Sequence, residues 1–201
     1  MHYLTKVVLE PEALRQYAVR DAYSVHRLVY SWFPLGTDEV KSDPRFLYAD
    51  LGPTRGGRAI LILSAQEPVL PETLPSATTV LGENFFSFED FRFQVELNPV
   101  KRDRVDGKRH PVVGQLNLLM WFISHAQQWG FQVDKASLEA RTCPTKTFCK
   151  GTTKYTFHHV RFQGHLRVVD QALFQKTVFE GIGHGKAFGF GLLQLVPLRK
   201  F

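Results

Sequence analysis

The chain has 201 residues, of which 44% are hydrophobic, so it is long and apolar enough to form one or two packed domains. Lysine and arginine number 25 against 19 acidic residues, and the net charge of +6 predicts an anionic partner such as nucleic acid, although a basic solvated surface explains it as well. No apolar run approaches the roughly 20 residues of a membrane span, so we expect no membrane partner.

The first half of the chain predicts the order β-α-β-β. Residues 3–9 have the composition of a strand, and the apolar positions between Val19 and Trp32 recur at helical steps. The run from Ile60 to Leu63 predicts a buried strand, and residues 91–97 alternate strictly between apolar and polar side chains. We therefore expect an amphipathic helix that packs on a sheet.

The second half predicts the order α-β-β-α-β after a change in composition. A basic loop follows Asn98, and Asp170 is typical of the residue that caps the start of a helix. We place a boundary between domains 1–97 and 98–201. Each is α+β, and the simplest candidate for each is a ferredoxin-like (RRM-like) unit whose antiparallel sheet carries helices on one face. In the second half a helix is predicted at 115–129, and strands at 131–133, 155–162, 165–169 and 190–197.

A glycine-rich stretch near the C-terminus separates a helix-like segment from an apolar run. Such a stretch can bring backbone N–H groups against an anion, and Lys186 adds a cation in its middle, so one expectation is a phosphate contact that includes His184. The other expectation is a scaffold that supports RNA and the packing between domains. The glycines are Gly181, Gly183, Gly185, Gly189 and Gly191.

Three side chains on the first helix are candidates for proton transfer. Tyr23, His26 and Tyr30 are three and four residues apart, so at about 100° per residue they share one edge of the helix beside its apolar stripe. Histidine exchanges a proton near neutral pH, which suits general acid–base catalysis. A structural histidine with tyrosines that pack at the rim explains the same spacing. His158 and His159 face opposite sides of a strand, where either could replace His26 or simply support the sheet.

Two basic segments are candidates for phosphate contacts along an RNA stem. The first follows the alternating strand, and the second surrounds the turn residues Pro144 and Gly151, which could form a flexible hairpin that grips RNA. A solvated linker explains the first segment, and surface solubility explains the second. The candidates are Lys101, Arg102, Arg104, Lys108 and Arg109 in the first segment, and Arg141, Lys146, Lys150 and Lys154 in the second.

The sequence disfavours a metal-dependent nuclease. Asp103 and Asp106 lie among basic residues, and no cluster of acidic residues is arranged for two metals. Cys143 and Cys149 cannot complete a zinc site of four ligands, so we expect no metal, no other cofactor, and reduced thiols in a cytoplasmic protein. A metal-independent ribonuclease needs only a base, an acid and cations around the phosphate. Because its reaction starts from a 2′-hydroxyl, RNA is the nucleic acid that it cleaves.

Several motifs resemble one known family, in the same order along the chain. The glycine stretch resembles the G-loop of the repeat-associated RNA-binding (RAMP) superfamily. The segment Tyr23-Ser24-Val25-His26-Arg27 is similar to the tyrosine–histidine helix of the CasE-type endoribonucleases, which process CRISPR precursor RNA in type I-E (Cascade) systems. The resemblance extends to the opening strand Tyr3 to Leu9, to Asn98-Pro99-Val100-Lys101 followed by Gly107-Lys108-Arg109, and to the ending Gly191 to Pro197.

The resemblance implies two tandem ferredoxin-like domains and metal-free cleavage at the base of a stem-loop in each CRISPR repeat. It implies products with a 5′-hydroxyl and a 2′,3′-cyclic phosphate, and an enzyme that keeps its RNA as a subunit of the type I-E surveillance complex. His26 and Tyr23 carry over as the catalytic pair, either one as acid or base, assisted by cations of the second domain. A non-catalytic RNA-binding subunit of the superfamily would share the glycine stretch without needing that pair. A small-molecule-binding ferredoxin-like protein is the weaker third alternative.

Overall fold

The computed structural model describes residues 1–33, 46–103, 105, 107–150 and 152–198. Within these residues the chain forms four α-helices: α1 (Pro11–Gln16), α2 (Ala22–Ser31), α3 (Gln115–Ala126) and α4 (Gln171–Glu180). Short 3-10 turns lie at Glu83–Ser87, Gln127–Trp129 and Lys186–Phe188. The strands are β1 (Tyr3–Leu9), β2 (Phe46–Thr54), β3 (Gly57–Ser64), β4 (Ser76–Val80), β5 (Asp90–Leu97), β6 (Val100–Arg102), β7 (Arg109–Pro111), β8 (Phe131–Val133), β9 (Glu139–Lys150), β10 (Thr153–Val168) and β11 (Gln194–Pro197).

The first sheet has the strand order β2-β3-β1-β4, and its pairings are antiparallel. Thr5 of β1 lies opposite Ile62 of β3 on one side and opposite Thr78 of β4 on the other. Helices α1 and α2 connect β1 to β2, whereas the proline-rich residues 65–75 connect β3 to β4 without a helix. The order is that of a ferredoxin-like unit in which a loop replaces the second helix.

The second sheet repeats this order around β10. β11 pairs with β5 and β5 with β10, while the far edge of β10 pairs with β9 along Thr153 to Gln163 and with β8 along Leu166 to Val168. Helix α3 follows β5 and α4 follows β10, so this unit has both helices. The predicted fold class, two tandem α+β ferredoxin-like domains, is therefore confirmed. A separate two-stranded hairpin, β6–β7, carries the first basic segment.

The pairing of β5 affects where the boundary between the two domains is drawn. β5 ends at Leu97, which the sequence analysis includes in the first domain, yet β5 pairs with β10 and β11 in the second sheet. We therefore propose that the boundary lies between β4 and β5 rather than after residue 97. The strands predicted at 155–162 and 165–169 are one continuous strand, β10, and only residues 194–197 of the predicted final strand pair.

Two buried clusters attach the sheets to their helices. In the first domain, Val25 and Val29 of α2 share a cluster with Ile60 and Ile62 of β3. In the second, the ring of Phe122 on α3 stacks on Phe93 of β5 at 5.5 Å and on Phe162 of β10 at 4.6 Å. Each such side chain contributes about 1.5–3 kcal/mol by leaving water. Three residues of the first sheet, Leu47, Ala49 and Leu63, belong to the second cluster, so the two domains share one apolar interface.

None of the helices in the described part of the chain is both long enough and apolar enough to cross a membrane.

Candidate active site

Helix α2 presents Tyr23, His26 and Tyr30 along one side, as their spacing predicts. A capping box fixes the start of the helix: the Ser24 N–H donates to Asp21 Oδ1 at 2.8 Å, and the Asp21 N–H donates to Ser24 Oγ at 2.9 Å. The ring of His26 lies 5.8 Å from that of Tyr23 and 4.1 Å from that of Tyr30. All three rings are half-buried, so each combines a fixed position with access from one side.

The glycine-rich stretch meets this helix at His26. The imidazole Nδ1 of His26 lies 2.7 Å from the carbonyl oxygen of Ala187, 161 positions away in the sequence. The hydroxyl of Tyr48 donates to the same oxygen at 3.0 Å. Burial of Tyr48, with the charges of Asp50 and Tyr30, raises its pKa well above the ordinary 10.0, so this hydroxyl keeps its proton and stays a donor.

The bond to Ala187 selects the tautomer of His26. A carbonyl oxygen can only accept a hydrogen bond, so Nδ1 must carry a proton. In the neutral ring, Nε2 then holds the lone pair that accepts a proton, and in the protonated ring Nε2 is the nitrogen that returns it. The geometry therefore fixes which nitrogen of His26 can act as base or acid.

Two rings, Phe148 on β9 and Phe188 in the Lys186–Phe188 turn, form an aromatic wall beside Tyr23 and His26. Phe148 stacks on Tyr23 at 5.8 Å and contacts Phe188 at 4.4 Å, and Phe188 lies 5.1 Å from His26. The guanidinium of Arg27 lies 5.6 Å from the ring centre of Tyr23. The second domain thus holds both catalytic candidates of the first in place. Tyr48, Phe148 and Phe188 were not predicted from the sequence, because no local pattern shows which distant aromatic residues reach α2.

The glycine stretch uses several of its own N–H groups internally. The N–H of Gly191 donates to the Glu96 carbonyl at 2.8 Å, that of Ile182 to the Gly191 carbonyl at 2.9 Å, and that of Gly189 to the Lys186 carbonyl at 3.2 Å. Gly191 has φ +84°, and a Cβ there would lie 2.4 Å from the carbonyl oxygen of Ile182. These bonds favour the scaffold over the phosphate cradle as the main role of the stretch. Along it, His184 is exposed and Lys186 half-buried.

Glu96 anchors a buried ionic cluster beneath the stretch. Its side chain is 5% exposed, and its carboxylate lies 2.8 Å from His159 Nε2 and accepts from Arg161 Nη2 at 2.7 Å. Burial alone would raise the pKa of Glu96, but the hydrogen bonds from His159 and Arg161 and the charges of His159 and Lys146 lower it from 4.5 to about 2. Glu96 therefore remains ionised in the folded protein at neutral pH.

Lys146 belongs to this cluster rather than to an exposed hairpin surface, which corrects the expectation from the sequence. Its Nζ is buried without a hydrogen-bond partner in the described part of the chain, 3.7 Å from Glu96 and 4.4 Å from the ring centre of Phe190. Burial, opposed by the charge of Glu96, lowers the pKa of Lys146. The reason is strand alternation: Lys146 is two residues from Phe148, so both face the glycine stretch.

Comparison with known proteins identifies the family. The chain matches the CRISPR associated protein family over residues 2–197. It belongs to that family. The CRISPR-associated endoribonuclease Cse3 of Thermus thermophilus is 28% identical to it, over 97% of this chain and all of the relative. The Cascade subunit CasE of the Escherichia coli CRISPR system is 26% identical, over 98% and 100%. A solved structure of Cse3 bound to a 19-nucleotide RNA superposes with a TM-score of 0.80 at 25% identity, covering 97% of this chain and all of that one.

The other basic candidates of this CRISPR-associated protein lie on two hairpins. Lys101 and Arg102 are exposed on β6, and Arg102 Nε donates to the Gly107 carbonyl at 3.0 Å. Lys108 and Arg109 are exposed at and after the turn into β7, Arg141 and Lys154 are exposed on β9 and β10, and Lys150 ends β9. Arg104 lies outside the described residues. The placement of the described cations on these hairpins suits a long anionic partner, since both hairpins border the glycine stretch.

The part of the chain that the structure describes contains no metal-binding cluster and no disulfide. Among the described residues, no group of three or more His, Cys, Asp or Glu side chains is placed to hold a metal ion. Cys143 and Cys149 are both free thiols.

Proposed function

We propose that this protein is an endoribonuclease that cleaves CRISPR repeat RNA at the base of a stem-loop, by attack of a 2′-hydroxyl and without a metal ion. The observation that carries the proposal is the bond between His26 Nδ1 and the Ala187 carbonyl at 2.7 Å. It fixes a proton-transfer group of the first domain against the glycine stretch of the second. The names of the relatives, a CRISPR-associated endoribonuclease and a CRISPR system Cascade subunit, support RNA cleavage in a CRISPR system.

The reaction needs two proton transfers. A base removes the proton of the 2′-hydroxyl while the 2′-oxygen bonds to phosphorus, the bond from phosphorus to the 5′-oxygen breaks, and an acid protonates that oxygen. The products are a 2′,3′-cyclic phosphate and a 5′-hydroxyl. We assign one transfer to His26 Nε2 and the other to the hydroxyl of Tyr23, whose ring is stacked 5.8 Å away. The protons balance whether His26 is the base and Tyr23 the acid or the reverse.

The attacked phosphate gains negative charge in the transition state, and a fixed cation stabilises that charge. Lys186 immediately precedes Ala187, whose carbonyl holds His26, so we propose that its ammonium group serves the phosphate. Lys146 is a poorer candidate, because its ammonium lies buried beside Glu96. The same ammonium lies 4.4 Å from the ring centre of Phe190 in the glycine stretch.

We propose that the protein keeps the cleaved RNA and acts as a subunit of a type I-E surveillance complex. The relative CasE is named as a subunit of Cascade, which supports the second part. The exposed cations of the β6–β7 and β9–β10 hairpins would hold the stem by its phosphates. A cytoplasmic location agrees with the free thiols Cys143 and Cys149.

The test compares wild type, His26→Ala and His125→Ala on a repeat-hairpin RNA in EDTA. His125 lies on α3, where its ring contacts that of Trp121 at 4.6 Å, away from α2, so its variant is the matched control. We expect His26→Ala to lose 10²- to 10⁴-fold, roughly, in the single-turnover rate with RNA binding retained. No cleavage by wild type would favour the non-catalytic RNA-binding subunit instead, and an unchanged rate in His26→Ala would overturn the assignment of His26.

A further inference from the structure

A pocket of about 390 Å³, lined by both apolar and polar side chains, lies beside the aromatic wall. The β6–β7 hairpin forms one side, the β9–β10 hairpin another, and His184 of the glycine stretch closes it. Phe157 lines it and lies 5.4 Å from Phe188, the ring that contacts His26 at 5.1 Å. The pocket is therefore close to the proposed chemistry, yet nothing in that chemistry uses it.

A β-bulge builds the centre of this pocket. Cys143 pairs with His159 and Lys146 with Phe157, so two residues of β9, Pro144 and Thr145, lie opposite the single residue His158 of β10. Bulges turn side chains out of the regular alternation, and both Thr145 and His158 line the pocket. The irregularity thus places two polar side chains where a regular ladder would not.

His158 has an unmet hydrogen-bonding capacity. Its Nε2 is shielded from solvent and has no hydrogen-bond partner in the part of the chain that the structure describes. Buried polar atoms in proteins nearly always have a partner, so we expect the ring of His158 to turn toward a ligand that enters the pocket and offers one. Burial, followed by the charge of His159, lowers the pKa of His158 and favours the neutral ring, which offers one donor and one acceptor.

The remaining lining selects the class of ligand. Thr145 and Thr156 add neutral hydroxyls, Phe157 adds a flat apolar surface, and Arg109 adds a positive charge. Among the described residues that line the pocket there is no carboxylate. Neutral donors and acceptors beside a ring suit the edge and face of a nucleobase, and the guanidinium suits its phosphate. The volume suits one nucleotide and excludes a duplex.

We propose that this pocket binds one unpaired nucleotide of the RNA, near the scissile phosphate, and that His158 reads the edge of its base. The inference rests on the proposed function for the identity of the RNA. It adds a specificity determinant outside the stem: the enzyme recognises the stem by its backbone and one neighbouring base by hydrogen bonds.

The experiment is a binding selection in the His26→Ala background, so that the RNA stays intact. The probe is a repeat-hairpin library in which the unpaired positions on both sides of the stem are randomised. We expect one unpaired position to be enriched for a single base about tenfold, and the enrichment to disappear when His158→Ala is added. His165→Ala is the control, since this exposed histidine of the same strand lies outside the pocket. Thr156→Val, a second pocket variant, removes the hydroxyl but keeps the side-chain shape, and it should weaken the same base preference.

The outcomes separate the inference from the function. RNA binding with no base preference at any unpaired position, or with a preference that His158→Ala and Thr156→Val both leave intact, overturns the pocket assignment and leaves the endoribonuclease proposal standing. Cleavage by wild type, measured separately on the same hairpin, decides the endoribonuclease proposal. A base preference lost in both pocket variants but kept in His165→Ala supports the assignment even if no cleavage occurs.

Discussion

Replacing Glu96 by glutamine should destabilise the protein by about 3 kcal/mol at neutral pH. The variant keeps the shape of the side chain but removes the charge that Arg161, His159 and Lys146 surround. The pKa of Glu96 is about 2 in the folded protein against its ordinary 4.5. Each pKa unit corresponds to about 1.4 kcal/mol, so the difference of about 2.5 gives roughly 3 kcal/mol. For a chain of this size the melting temperature should fall by about 6–12 °C.

The pH dependence has a definite sign. Because the folded pKa is depressed, this stabilisation is fully present above pH 4.5 and is lost as the pH falls toward 2. Urea unfolding of wild type and Glu96→Gln should therefore differ by about 3 kcal/mol at pH 7 and by about half of that at pH 3. Glu139→Gln, an exposed carboxylate of β9 that accepts from Gln163 Nε2 at 2.8 Å, is the matched control and should change little. Equal stability of Glu96→Gln and wild type at pH 7, or a difference that does not shrink in acid, would refute the reasoning.

Three further predictions concern the glycine stretch, the buried lysine and the RNA surface. Gly191→Ala should lower the free energy of unfolding by more than about 2 kcal/mol, because its Cβ would lie 2.4 Å from the Ile182 carbonyl oxygen. Gly183→Ala, at φ +74° with its nearest contact at 3.8 Å, should lower it by only about 1 kcal/mol, and equal melting temperatures for the two variants would contradict this. Lys146→Met should keep or raise the melting temperature, since burial disfavours the ammonium group; a fall of more than about 4 °C would show that the charge is needed. Lys101→Ala should lower the slope of log affinity for repeat RNA against log salt concentration by about 1, and an unchanged slope would remove this exposed residue from the phosphate contacts.

The strands with strong local patterns were the ones that the sequence predicted. In β1 and β5 buried residues alternate with more exposed ones, and β3 contains the buried run. The cap at Asp170 is also present, with the Leu173 N–H donating to its carboxylate at 2.9 Å. β4 lacks such a signal, because all five of its residues are exposed although it pairs with β1. β10 was predicted as two strands because Gly164 interrupts its pattern. A Cβ at that glycine would lie 2.9 Å from the Ser137 carbonyl oxygen, so a close packing contact and not a strand end explains it.

Only the part of the candidate site that lies on α2 could be predicted from the sequence. Tyr23, His26 and Tyr30 could be grouped because they are neighbours on one helix. The contact between His26 and Ala187 could not be predicted, since it joins residues 161 positions apart and depends on how two domains pack. For the glycine stretch the sequence predicts a phosphate contact or a scaffold, whereas the fold also brings its backbone into hydrogen-bond contact with the candidate catalytic histidine.

Lys146 shows that the sequence alone does not reveal which charged side chains are buried. It is one of several cations in a basic segment, and composition cannot distinguish the one that faces inward. Its inward direction follows from the register of β9 against β10, in which Lys146 pairs with Phe157 just before the bulge. That register in turn decides which cations of the hairpin remain exposed for RNA.

The most direct test of the mechanism is the cleavage rate, in EDTA, of a repeat hairpin that carries a single 2′-deoxy nucleotide at the scissile position. The account predicts that wild type binds this RNA as tightly as the unmodified hairpin but does not cut it, while the unmodified hairpin is cut to a 2′,3′-cyclic phosphate. Cleavage of the deoxy-substituted hairpin at a rate comparable to that of the unmodified one would contradict 2′-hydroxyl attack, and with it the assignment of His26 and Tyr23.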